Sequence, residues 1–298
     1  MKKAETSNHH FLPRTYLKNF GIMRDNDFYV HALQKDQDIN KIAEKCISDC
    51  CALNHQQTPK KSEKSNQKLE DIYTEIFENH YERLFSILTN DDITELSDEI
   101  KKSAVSAVIS IFGRTRSWKD LIHLNTQSKK DFRLNKVFRI DHYFDSQGMR
   151  VDIRNKTLEE LQINDKNITR LPLVVTQLKS ALHLIEARQF DFINIYKIAD
   201  DSEFITSDNP VVAININKVK TSTFDIDNAY YMPISNKYLV AVFPKEKNPS
   251  HNKIIRIFIN KEWVESFNNM QIFGRNQFII GSKEAIIKIG RASCRERV

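Results

Sequence analysis

Two short stretches of this chain hold residue types able to move a proton or grip a metal. The first is His9-His10-Phe11-Leu12-Pro13-Arg14-Thr15-Tyr16-Leu17-Lys18-Asn19-Phe20. Pro13 suits the first position of a helix, because its missing N–H would have no partner there and its φ is already helical. Tyr16, Leu17 and Phe20 follow at helical spacing, and Gly21 is placed to close the helix in a left-handed conformation. His9 and His10 therefore precede a helix N-terminus, whose backbone donors favour an anion and disfavour a charged imidazole. Adjacent side chains of an extended segment face opposite ways, so only one of the two histidines can meet a given partner.

The second stretch is Phe204-Ile205-Thr206-Ser207-Asp208-Asn209-Pro210, which sets a hydroxyl and a carboxylate where a strand gives way to a turn. Pro210 keeps Asn209 out of the helical region. Asp208 and Ser207 have two readings. Residues of this kind routinely bond nearby backbone N–H groups and fix a turn. Alternatively, Asp208 is a general base or a metal ligand, facing the N-terminal histidines.

Arg114 and Arg116 follow the nearly apolar stretch Ala104–Ile111. Cations at a helix C-terminus interact well with its dipole, which is a structural account of them. If that helix end reaches the histidine and Asp208, the guanidinium groups would instead grip a phosphate or carboxylate. Cys46, Cys50, Cys51 and His55 can be written as metal ligands, but their spacing matches no standard zinc pattern, and the cysteines read as small buried apolar side chains instead. His80 and His183 border apolar stripes as core or boundary residues, and Trp118 and Trp263 read as packing anchors at element ends.

The elements that must position these groups are readable from periodicity. Phe28–Leu33 has strand character, and Lys60–Asn66 is an exposed charged loop. Leu69, Ile72, Ile76, Leu84 and Leu88 belong to one helical stripe. Asp92 and Glu95 are candidate caps for a second, buried helix through Ile111, and a third helix covers Thr169 to Gln189, with Leu178, Leu182 and Ile185 on its buried side. Strand runs then follow: 192–198, 204–206, 211–216, 230–234, 238–243 and 254–259, with a helix over 261–273 and a last strand at 277–280. The fold class is α+β, mainly helical over the first two-thirds and packed on a mainly antiparallel C-terminal sheet. Residues 1–288 read as one domain, with a helical part to about 190 and a sheet-rich part to 288. Residues 289–298 resemble a translated sequencing adapter and read as a non-native tail, extended or poorly packed.

The 298 residues include 40% hydrophobic ones and carry a net charge of +6, which falls to +4 without that tail. Such a charge permits an anionic partner without requiring one. No run approaches the ~20 apolar residues that span a bilayer, and the start MKKAETSNHH lacks the apolar core of a secretory signal, so a cytoplasmic protein without membrane association is expected. Six glycines and no glycine-rich motif argue against a phosphate-cradling loop.

The segments His10–Phe20 and Phe204–Val212 resemble those of a bacterial family of unknown function, domain-of-unknown-function family 4238. Arg114-Thr115-Arg116 is similar to an arginine–threonine–proline pattern of that family, with arginine where proline is usual, and Asn268, Asn269 and Arg275–Ser282 fit its closing segment. The resemblance selects His10 over His9 and implies a single domain, but it implies no activity, cofactor or substrate. Three readings stand at this point. One is a hydrolase of nuclease or phosphoesterase type acting on nucleic acid or a phosphorylated small molecule. Its catalytic residues would be His10, Ser207, Asp208 and Arg114, and His10 and Asp208 would hold a divalent metal. His9, Tyr16, Arg116, Asn209 and Asn268 would bind the substrate. The second is a non-enzymatic ligand-binding or effector module of a bacterial defence or toxin system, and in the third the polar cluster is purely structural.

Overall fold

Apolar alternation builds the strands and three-to-four spacing builds the helices, and most lie within a residue or two of where those patterns put them. The computed structural model describes residues 8–10, 12–50, 52–54, 80–115, 117–118, 143–146, 149–152, 170–217, 225–245 and 252–295. The chain runs through β1 (Asn8–His10), α1 (Arg14–Leu17), β2 (Ile22–Arg24), β3 (Asp27–Gln34), β4 (Ala43–Cys46), β5 (Ala52–Asn54), α2 (Tyr81–Thr89) and α3 (Asp98–Arg114). It continues with β6 (Tyr143–Ser146), β7 (Met149–Asp152), α4 (Arg170–Arg188), β8 (Phe192–Ile198), β9 (Thr206–Ser207), β10 (Val212–Asn215), β11 (Asn228–Pro233) and β12 (Tyr238–Phe243). Last come β13 (Ile255–Ile259), α5 (Lys261–Gly274), β14 (Phe278–Gly281) and α6 (Lys283–Arg295).

The protein is α+β, but its helices are not gathered at the N-terminus. One five-stranded sheet has the order β10-β11-β12-β8-β13. The other runs β2-β3-β14-β9, with β4 also paired to β3, so strands from the beginning of the chain are completed by strands from its end. The first sheet departs from the expected antiparallel pattern at β13, which runs parallel to β8. β12 ends beside the start of β8, with Phe243 opposite Phe192, and a connection that stays at that end must send the next strand along β8.

Other local expectations also change. Pro13 sits just outside α1 at φ −59°, ψ 139°, and Gly21 is extended (φ −104°) rather than left-handed. Glycine is needed at position 21 for space, since a Cβ there would lie 2.9 Å from the Tyr29 carbonyl oxygen. Ser97, not Asp92, caps α3, its hydroxyl accepting the Ile100 N–H. Asp92 and Glu95 are drawn away from that role because residues 94–96 pair with 252–254, Leu96 N–H donating to the Asn252 carbonyl at 2.8 Å. Among the described side chains of α4 the buried ones are Ala181, Leu184, Ile185 and Arg188, leaving Leu182, expected inside, 43% exposed at the margin of that stripe. His80 and His183 are exposed. Residues 289–295, expected to be extended or poorly packed, continue the helical backbone of α6, and Ile289 is buried.

The main core is built around α3, whose Ala104, Val105, Val108, Ile109, Ile111 and Phe112 are all buried. Trp118 packs edge-on against Phe112 with ring centroids 4.9 Å apart, while Trp263 stacks on Tyr196 at 4.8 Å in a second cluster under the first sheet. Leu12, Tyr16 and Leu17 of the opening segment are completely buried in the main core. Burying each such side chain contributes on the order of 1.5–3 kcal/mol. The loop 60–66 and the first part of the helix expected from Leu69 lie outside the described residues. No helix among the described residues is long and apolar enough to cross a membrane.

Candidate functional site

Ser207 ends β9 on the edge of one sheet and Val212 opens β10 on the edge of the other, so Asp208-Asn209-Pro210-Val211 carries the chain between them. Such a crossing leaves backbone groups without ladder partners, and side chains of α5 supply them. Asn268 accepts the Ile205 N–H at 3.0 Å and donates to the Glu203 carbonyl at 2.8 Å. One turn on, Gln271 accepts the Ser207 hydroxyl at 2.8 Å and donates to the Pro210 carbonyl at 2.8 Å. Ser207 Oγ in turn accepts the Asn209 N–H at 3.2 Å. The chain of bonds reaches the opening segment: the Tyr16 hydroxyl donates to the Pro233 carbonyl at 2.9 Å and lies 2.6 Å from Thr206 Oγ1, which must donate because Tyr16 has a single proton to give.

Asp208 is 2% exposed, and its two oxygens accept the N–H groups of Asn276 and Gln277 at 2.8 and 2.7 Å. Burial pushes its carboxyl above the ordinary aspartate value, against the pull of those backbone donors. Arg275 donates to the Ile272 carbonyl; burial disfavours its charged form, while Asp36 and Asp208 favour it. Asn209 Nδ2 donates to the Gly274 carbonyl at 2.9 Å, which ties the junction to the C-terminal end of α5.

The structure thus brings Tyr16, Ser207, Asp208, Asn209 and Asn268 of the expected set onto one hydrogen-bonded frame. The backbone of His9 and His10 lies in β1, opposite Leu53 and Ala52 of β5; their side chains lie outside what is described, as does Arg116. Arg114 is buried in the last turn of α3. Among the described residues no group of three or more His, Cys, Asp or Glu side chains could hold a metal ion; Cys46 ends β4 and Cys50 is buried in the turn after it. Sequence reasoning passed over Gln271 and Asn276. The first could have been found, because Val264, Phe267, Asn268 and Gln271 share the buried face of α5, and an amide on such a face needs partners.

Directly beside Asn209 opens a cleft of about 360 Å³. Phe112, Ser117, Trp118, Asn209, Ala213 and Met270 of α5 are among the residues that line it. The Ser117 hydroxyl donates to Asn276 Oδ1 at 3.0 Å, so the cleft and the Asp208 frame share a residue at their junction. Asn209 Oδ1 and Asn276 Nδ2 are shielded from water and have no hydrogen-bond partner.

Taken together, the two five-stranded sheets and the Thr206–Pro210 junction clamped by α5 define an α+β protein organised around a polar turn. Residues 8–285 match the family described as protein of unknown function (DUF4238), and the chain belongs to that family. Comparison with curated proteins and with solved structures gives no match.

Proposed function

We propose that this protein is a ligand-binding module whose site is the cleft beside Asn209, with Ser207 and Asp208 serving as its frame. The observation that carries this reading is the engagement of Asp208. A general base or metal ligand needs a lone pair directed at its substrate or ion, whereas this buried carboxylate accepts backbone N–H groups at 2.8 and 2.7 Å on its two oxygens. Ser207 gives its proton to Gln271, so it is not paired with a base as a nucleophile would be. These contacts favour binding over the hydrolase reading. The cleft volume of about 360 Å³ falls in the range of small-molecule sites, roughly 300–1,000 Å³, and the described residues that line it are mostly apolar, as in such sites.

The test has two arms. The neutral dye Nile red should bind the wild-type protein with enhanced fluorescence and fail to bind Ala213→Trp, in which the cleft is filled. Single-stranded RNA, single-stranded DNA and 4-nitrophenyl phosphate, incubated with magnesium or manganese, should show no turnover above the blank. Metal-dependent turnover lost in a still-folded Asp208→Asn would overturn the proposal in favour of a hydrolase.

A further inference from the structure

Resting on the reading of the cleft as a binding site, we infer that its ligand is an extended peptide, which adds to the outer edge of β10 as an antiparallel strand and sets one large apolar side chain in the cleft. The lining places the cleft at that edge. Phe112 and Trp118 belong to the core on one face of the first sheet, while Met270 and Gly274 lie on α5, whose Val264 and Phe267 pack on the other face. Val212 and Ala213 of β10 stand between them, Ala213 against the first core and Val212 against the second. A cavity bordered from both faces of a sheet and by its outermost strand has to run along the outer side of that strand.

The backbone of β10 is turned toward this space. Ile216 donates its N–H to the Asp227 carbonyl at 3.0 Å, and antiparallel partners exchange hydrogen bonds at every second residue, so Ile214 and Val212 face β11 and Ala213 faces away from it. Among the described residues nothing bonds to the Ala213 N–H or carbonyl, and Ala213 is half-buried. The strand also lacks the usual guards against further pairing, since Val212–Asn215 holds no charged residue and no proline. The opposite edge of the sheet is treated differently: residues 94–96 pair with 252–254 just ahead of β13, and Arg256 of β13 donates to the Asn90 and Ile93 carbonyls. An N–H and a carbonyl side by side on an unpaired strand match the carbonyl and N–H of one residue of an incoming strand. The residue opposite Ala213 puts its side chain on the same face as the Ala213 methyl, toward Phe112 and Trp118, where the cleft of about 360 Å³ admits a phenylalanine ring.

The probe is the end-capped peptide threonine-threonine-phenylalanine-threonine-threonine, titrated against the wild-type protein by ligand-observed NMR. Alanine in place of the phenylalanine should weaken binding roughly tenfold or more. N-methylation of the phenylalanine removes the donor that meets the Ala213 carbonyl and should weaken binding roughly fivefold to tenfold, whereas N-methylation of either neighbouring threonine, whose N–H points away from β10, should leave it unchanged. On the protein side Ala213→Pro removes the outward N–H, a change that an edge strand accepts, and should weaken the peptide by a similar factor while Nile red still binds. If Ala213→Pro does not fold, the N-methylated series on the wild-type protein decides. Equal binding of the three N-methylated peptides would show that the main chain is not read and would overturn the inference, as would equal binding of the alanine and phenylalanine peptides. Nile red binding without any peptide binding would also overturn it and leave the cleft reading standing. Binding of neither dye nor peptide would defeat the cleft reading together with the inference.

Discussion

An aspartate whose two oxygens both accept backbone N–H groups cannot become asparagine without turning one acceptor into a donor. Asp208→Asn should therefore set an amide N–H against the N–H of Asn276 or Gln277 and lower stability by about 1–3 kcal/mol, read from the urea midpoint at constant slope. A fall in activity without any fall in stability would point to chemistry at this residue. Lys101 makes the opposite case. It is 1% exposed on α3, its Nζ has no hydrogen-bond partner, and burial lowers its pKa despite the attraction of Asp98 and Asp191. Lys101→Met keeps the length and apolar stem while removing the stranded ammonium, and should raise stability by about 1–3 kcal/mol at neutral pH. Because the folded protein holds this proton less tightly than the unfolded chain does, the advantage of the methionine variant should shrink as the pH rises toward the ordinary lysine value of 10.5. An advantage that is constant with pH would mean that Lys101 is not stranded.

At the level of elements, the sequence told most where one segment's pattern settles its own structure. β8 and β12 are found at the residues their apolar runs indicated, and α5 ends one residue beyond the expected Phe273, because local alternation and periodicity suffice there. What periodicity cannot carry is pairing between distant segments. β14 lies between β3 and β9, and nothing in Phe278–Gly281 itself says that residues 31–34 and 206–207 will flank it. The same holds for the site: Thr206–Pro210 reads as a polar turn, yet its clamps, Asn268 and Gln271, come from a helix some sixty residues on, and the Tyr16 bond from the other end of the chain. Gly21 shows the limit in one residue. Its type suggested a left-handed cap, whereas its backbone is extended and the constraint is the Tyr29 carbonyl opposite. Gly21→Ala is conformationally permitted, so the expected loss of about 1–3 kcal/mol in thermal or urea unfolding is a steric one, from a Cβ placed 2.9 Å from that oxygen. An unchanged midpoint would show that the β2–β3 hairpin yields at no cost.

Across the whole molecule, the described residues bury more cations than carboxylates: Lys101, Arg114 and Arg188 against Asp191 and Asp208. Arg188 stands at the end of α4. It pairs with Asp191, donates to the Ile226 and Asn228 carbonyls, and lies 4.9 Å from the centre of the Tyr230 ring, fastening a helix of the main core to β11. Asp191 also accepts the Lys245 N–H at 3.1 Å. Burial nevertheless outweighs these partners and pushes the Asp191 carboxyl up to about 6, from an ordinary value of 3.8. A carboxyl raised on folding binds its proton more tightly in the native state, so its contribution to stability is complete below the unfolded value and is lost as the pH rises through the folded one. For Asp191 the window is therefore 3.8 to about 6, and the full contribution across it is roughly 3 kcal/mol. Asp191→Asn carries a permanently neutral side chain of the same shape and lacks this titration. The stability of the wild-type protein relative to Asp191→Asn, measured by urea unfolding at intervals from pH 3.5 to 7.5, should fall with pH across that window and level off above it. A difference that instead rises with pH would mean that Arg188 holds Asp191 ionised and dominates over burial.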